Sequence, residues 1–138
     1  MVARDISGDI RTWPVTVNEN QNHILHVSAA PASLSDKIAD EIAHIAKTLA
    51  NALNLVGVLG IEMFVAGDQV YVNELAPRPH NSGHFTIEAT NVSQFEGHVR
   101  SVLGLPIPEI KQWAPAMMLN LLGDDINRAR RELVDHPE

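Results

Sequence analysis

The strongest periodicity in the chain lies between Ile38 and Leu53. Ile38, Ile42, Ile45, Leu49 and Leu53 step by four, three, four and four residues, one face of a 3.6-residue period, which predicts an amphipathic helix. Ser33 or Ser35 can cap its start, Asp36 sits in its first turn, and Asn54 lies near its end. Upstream, residues 2–6 and 10–17 read as extended stretches joined by the polar turn Ser7-Gly8-Asp9, a hairpin pattern. Asn18 to Asn22 reads as a polar loop, Ile24 to Ala29 as a further strand, and Pro31-Ala32-Ser33 as a break.

After Gly57 the pattern turns strand-like. Val58–Val65 and Val70–Ala76 are apolar, β-rich runs on either side of a Gly-Asp turn, which predicts a second hairpin. Pro77–His84 carries two prolines and a glycine, which oppose a regular element. Short helices are expected around Phe85–Ala89 and Ser93–Leu103. Gly104-Leu105-Pro106-Ile107-Pro108 then breaks the chain and marks a domain boundary, giving units 1–104 and 105–138. Ala116–Leu122 reads as a strand and a helix follows from about Asp125. The order predicts an α+β fold with a largely antiparallel sheet and helices packed on one side.

Composition narrows the class. The 138 residues are 45% hydrophobic and 20% charged, enough apolar material for a packed core and unlike a disordered tail. The formal charge of -7, from 10 Lys+Arg against 17 Asp+Glu, opposes a bulk nucleic-acid partner. The absence of cysteine excludes disulfides, thiolate zinc sites and a cysteine nucleophile. Apolar runs fall well short of the ~20 residues of a membrane span, and the first residues carry neither a basic nor an apolar leader region. No membrane partner and a cytoplasmic location are therefore expected. Both ends look cut, so the chain reads as a piece of a longer one.

Two carboxylates sit inside apolar strands, Glu62 between Ile61 and Met63, and Glu74 near the end of Val70–Ala76. A three-residue turn at Gly67-Asp68-Gln69 would put Glu62 directly opposite Glu74, with Cβ atoms roughly 4.5–5.5 Å apart. Like charges that close need a cation between them, and a hard divalent ion bridging to phosphate oxygens is the usual remedy. A two-residue turn at Gly67-Asp68 would instead face Glu62 with Asn73 and send Glu74 to the other face. In either register, a glutamate at a sheet edge can also simply reach solvent. The loop Pro77–His84 begins three residues after Glu74 and combines Arg78, His80, Asn81, Ser82, Gly83 and His84. Arg78 can grip carboxylate, bicarbonate or phosphate oxygens bidentately, and Gly83 permits close backbone approach.

Glu62-Met63-Phe64-Val65 followed by Asn73-Glu74-Leu75-Ala76-Pro77-Arg78-Pro79-His80-Asn81-Ser82-Gly83-His84 resembles the C-terminal half of an ATP-grasp ligase. Within that group it is most similar to the N5-carboxyaminoimidazole ribonucleotide synthetases, whose pattern Trp13-Pro14-Val15, Ser93-Gln94-Phe95-Glu96, Leu103–Pro106 and Met118–Gly123 also follow in order. The resemblance implies the C-terminal half of an ATP-grasp domain plus the start of a small C-terminal domain. It implies that Glu62 and Glu74 hold Mg2+, or Mn2+ in its place, against the phosphates of ATP, with Asn73 beside them at the nucleotide. Arg78 takes the part of the catalytic arginine, and His80, Asn81, Ser82, Gly83 and His84 that of the substrate loop. The implied reaction phosphorylates bicarbonate and then carboxylates aminoimidazole ribonucleotide in purine synthesis, in a homodimeric parent enzyme.

Two departures stand out. Asn20 occupies a position where the family usually has a nucleotide-contacting histidine, and no glycine-rich βαβ unit or lid precedes Val2. This chain alone is therefore expected to be inactive or nearly so. An ATP-grasp ligase with a different acceptor, and a non-catalytic binding or assembly fragment, are the rival functions. Trp13, Phe64, Phe85, Phe95 and Trp113 read as core or interface rather than cofactor-stacking residues.

Overall fold

The computed structural model describes residues 1–136. Strands β1 (Val2–Arg4), β2 (Ile10–Thr12), β3 (Val17–Gln21) and β4 (Ile24–Ala30) precede helix α1 (Asp36–Ala52). Strands β5 (Gly57–Ala66) and β6 (Gln69–Ala76) follow, then α2 (Thr86–Ala89), α3 (Gln94–Leu103), β7 (Ala116–Leu119) and α4 (Asp125–Asp135). The strands form two sheets, in the orders β2-β1-β5-β6 and β3-β4-β7, and every pairing between them is antiparallel.

The α+β class and antiparallel pairing agree with the sequence pattern. The helices, however, are not confined to one side of the four-stranded sheet. Val2 and Leu59 pack on Ala46 and Ala50 of α1, whereas Ala3 and Val58 pack on the opposite face with Trp13, Val92 and Ile107. Adjacent strand residues point to opposite faces, so the apolar pairs Val2-Ala3 and Val58-Leu59 are the mark of strands covered on both sides. Helix α3 closes the second face. His98 accepts the Val58 N–H at 3.3 Å, and Trp13 lies so close over Gly97 that a Cβ there would sit 2.4 Å from the indole. Burying a residue such as Leu59 fully contributes about 1.5–3 kcal/mol, so these few side chains carry much of the core.

Residues 18–22 do not form the expected loop. Val17–Gln21 pairs with β4, and Asn22 and His23, at φ 50° and 64°, make a two-residue turn. Both central residues have positive φ, the geometry of a I′ hairpin, reached here without glycine. Every residue of β3 is exposed, so no apolar alternation marks it as a strand. The extended stretch expected over 10–17 divides: β2 stops at Thr12 and β3 starts at Val17 in the other sheet. Helix α1 follows its pattern closely. The Ser35 side chain accepts from the Ile38 N–H, and Asn54, just past the end, takes a left-handed φ of 46°.

The second sheet rests on the α2 region through Ala30, Phe85 and Ala89, with Ala116 and Met118 of β7 against them. Helix α4 buries none of its described side chains. No helix among the described residues is long and apolar enough to cross a membrane.

Candidate functional site

The β5–β6 hairpin turns through two residues, with Ala66 paired to Gln69 and Gly67 at φ 59° in the first central position, as a II′ turn requires. Val65, Phe64 and Met63 then pair with Val70, Tyr71 and Val72. At the next step the register shifts, and Glu62 pairs with Glu74. Neither simple register holds. The two-residue turn alone would face Glu62 with Asn73, and a bulge there sets both Asn73 and Glu74 against Glu62. Asn73 Nδ2 reaches Glu62 Oε2 at 3.4 Å. Glu62 is half-buried and Glu74 exposed, on the edge strand of the sheet.

The loop after β6 folds back on this pair. His80 is 8% exposed, and its Nε2 lies 3.6 Å from Glu62 Oε1 while Nδ1 lies 2.9 Å from Ser82 Oγ. With a carboxylate at Nε2, the consistent assignment places the ring proton there and lets the Ser82 hydroxyl donate to Nδ1. Burial holds the His80 pKa below the ordinary imidazole value, and the nearby Glu62 charge opposes that shift. Arg78 is exposed, with Nη1 donating to the Pro79 carbonyl at 3.0 Å. Asn81–Gly83 form a single 3-10 turn, and the Ser82 carbonyl accepts from Ser28 Oγ at 3.4 Å. The same Ser28 hydroxyl proton is shared with Asn18 Oδ1, the nearer acceptor at 2.7 Å, tying the loop to the second sheet.

Sequence reasoning missed Gln94 as a site component. It is fully buried at the start of α3, and its side-chain amide holds both backbone groups of His80: the His80 N–H donates to Oε1, and Nε2 donates to the His80 carbonyl, each at 2.8 Å. A glutamine directly after the capping serine Ser93 is the signal the sequence offers, and nothing in its spacing separates it from a surface polar residue.

A cavity of about 510 Å3 opens between the two sheets, and Asn18, Asn20, Glu62, Asn73 and Ser82 are among its lining residues. Glu74 stands across from Glu62, and His80 contacts Glu62. His84 goes elsewhere. Its ring stacks on Phe95, with centroids 5.7 Å apart, beside a separate apolar groove that Met117 and Met118 line.

The donor set fits a hard divalent cation. Two carboxylates offer oxygen ligands from facing strands, the donor type that a hard cation takes. Mg2+ typically takes one or two carboxylates and completes its shell with water and phosphate oxygens.

Comparison with known proteins bears on the family and the fold. The ATP-grasp domain family matches residues 1–95. The chain is 47% identical over 127 residues to the N5-carboxyaminoimidazole ribonucleotide synthase of Bacillus subtilis, an alignment covering 91% of this chain and 33% of that protein. The crystal structure of an N5-carboxyaminoimidazole ribonucleotide synthetase in complex with ADP superposes with a TM-score of 0.93 at 42% identity, over 96% of this chain and 36% of that one. The synthase of Aspergillus clavatus, in complex with ADP and 5-aminoimidazole ribonucleotide, gives 0.88 at 33% identity, over 96% and 38%. The chain thus spans about a third of the length of the curated relatives it matches. Over the greater part of its length, in sequence and in fold, the chain belongs to the ATP-grasp family.

Proposed function

We propose that this chain supplies the metal- and phosphate-binding part of an enzyme that uses ATP and bicarbonate to carboxylate 5-aminoimidazole ribonucleotide, a step of purine biosynthesis. The observation that carries the proposal is the Glu62–Glu74 pair, opposed across the β5–β6 ladder at the Asn73 bulge, beside the cavity that Glu62, Asn73 and Asn20 line. Glu62 and Glu74 hold Mg2+ or Mn2+, which when bound supplies positive charge to the phosphate oxygens of ATP.

Asn73 and Asn20 offer amide donors and acceptors to the nucleotide from facing walls of the cavity. Arg78, exposed and not engaged with a carboxylate in the described contacts, is free to meet charge that develops as bicarbonate is phosphorylated. Asn81, Ser82 and Gly83 form the floor of the substrate loop, with His80 held against Glu62. His84 anchors the far end of that loop on Phe95. Residues 1–104 make the ATP-grasp part, a division that the family match over 1–95 supports, and 105–138 belong to a small second domain. The longer enzyme works in the cytoplasm as a homodimer.

The test is ATP consumption by a protein carrying this chain within the full length of its relatives. Release of ADP and phosphate is expected to require bicarbonate and aminoimidazole ribonucleotide together. Turnover sustained by a different amine acceptor in its place would contradict the proposal.

A further inference from the structure

We infer that Gln94 is a positioning residue for Glu62, acting through His80. The inference rests on the metal role of Glu62 proposed above. Gln94 is fully buried, yet both ends of its amide serve one residue, His80, whose N–H and carbonyl each meet it at 2.8 Å. In this way a side chain does for His80 what a neighbouring strand does for a ladder residue, just after β6 has ended. His80 keeps an extended backbone, at φ -121° and ψ 148°.

Three further contacts leave the imidazole little freedom. A Cβ on Gly60 would sit 3.0 Å from the His80 Cβ, so the histidine lies directly on the β5 backbone. Ser82 holds Nδ1 at 2.9 Å, and Nε2 faces Glu62 at 3.6 Å. The loop is also wrapped around the glutamine. A Cβ on Gly83 would fall 2.4 Å from Gln94 Oε1, and Thr86 links the two by donating to the Gly83 carbonyl at 2.6 Å and accepting the Gln94 N–H at 2.9 Å.

Burying a glutamine amide costs free energy unless its hydrogen bonds are met, and an apolar residue would fill the same volume without that demand. What glutamine adds is a fixed place for the His80 backbone, and so a fixed imidazole beside Glu62, 3.6 Å from its Oε1. Groups packed against a metal-holding side chain from outside the metal's own shell orient it and tune its affinity.

The experiment titrates this chain with Mn2+ alone and follows paramagnetic broadening of the Glu62 and Glu74 amide signals by NMR. Gln94→Met keeps the volume and removes both bonds to His80. It is expected to weaken Mn2+ binding about tenfold and to expose the His80 amide to hydrogen exchange, while the far core, at Leu59 and Ala50, stays protected. In a His80→Ala background, Gln94→Met is expected to change Mn2+ affinity no further, because its effect travels through that ring.

Wild-type Mn2+ affinity in Gln94→Met, or an equal added loss in the His80→Ala background, overturns the inference. If Gln94→Met does not fold, Gln94→Glu, which keeps the acceptor for the His80 N–H and removes the donor to its carbonyl, is expected to bind Mn2+ more weakly than wild type. Failure of both to fold assigns Gln94 to the core alone and also overturns it. Glu62→Gln separates the two levels. If the wild-type broadening persists in Glu62→Gln, or never occurs, the metal role of Glu62 itself fails and the inference fails with it.

Discussion

Glu62 stands across the β5–β6 ladder from Glu74, although the two-residue turn at Gly67-Asp68 would by itself pair it with Asn73. The extra residue on β6 sets Asn73 and Glu74 together against a single partner, gathering two carboxylates and an amide where β5 meets the edge strand β6. Bulges commonly re-aim side chains beside functional sites, and here the bulge adds Asn73 to the cavity wall without separating the carboxylates.

Deleting Asn73 separates those contributions. Without it the ladder runs on from Met63–Val72 directly to Glu62–Glu74, so the carboxylates remain opposed. The variant is expected to keep Mn2+ broadening at Glu62, gain hydrogen-exchange protection along β6, and bind Mn2+–ADP more weakly than the wild type. Loss of the Mn2+ signal would show that the bulge shapes the carboxylate pair itself.

Gly83 is a second sensitive position. Its missing Cβ leaves room for a Gln94 amide that is fully buried and bonded at both ends, so the glutamine cannot swing aside without breaking those bonds. Gly83→Ala is expected to destabilise the chain by about 1–3 kcal/mol, the usual range for overpacking, measured as a lower urea midpoint. An unchanged midpoint would mean that the loop yields freely.

Much of this architecture is legible in the residues, for reasons that also explain what is not. The four-three-four spacing from Ile38 to Leu49 lies along one face of helix α1, and Ser35 and Asn54 mark its ends, while Leu53 falls just past the last turn and is exposed. The Gly67-Asp68 turn between apolar runs specifies the hairpin, and with it the nearness of Glu62 to β6. Strand β3 escapes notice because Val17-Asn18-Glu19-Asn20-Gln21 is exposed throughout, and its turn uses Asn22 and His23 where glycine would have given a signal. The bulge is equally silent, since the continuous apolar run Val70-Tyr71-Val72 suits either simple register and nothing at Asn73 marks an extra residue. The clamp on His80 depends on a residue 14 positions away in sequence, a contact that no local pattern encodes. Helices on both faces follow from apolar neighbours such as Val58-Leu59, which a single-faced alternation does not accommodate.

Asp5 makes the acid stability testable. Ser7 donates to its Oδ1 at 2.7 Å and the Asp9 N–H at 2.9 Å, and these bonds hold its pKa below the ordinary 3.8 although burial pushes the other way. The unfolded chain therefore takes up this proton at a higher pH than the folded one. The resulting stability is fully present above about pH 4 and is lost as pH falls through the folded pKa. Asp5→Asn is expected to flatten that acid limb in urea midpoints recorded as pH falls below about 4. An acid limb identical to wild type would show that the turn does not retain the carboxylate charge.

The central claim, that Glu62 and Glu74 together form a divalent-cation site, is tested most directly by titrating Mn2+ into wild type, Glu62→Gln and Glu74→Gln while observing the β5–β6 amides. Broadening centred on these two residues in the wild type, and lost in each variant, is the predicted result. Broadening centred elsewhere, or retained when either carboxylate is neutralised, would contradict the account.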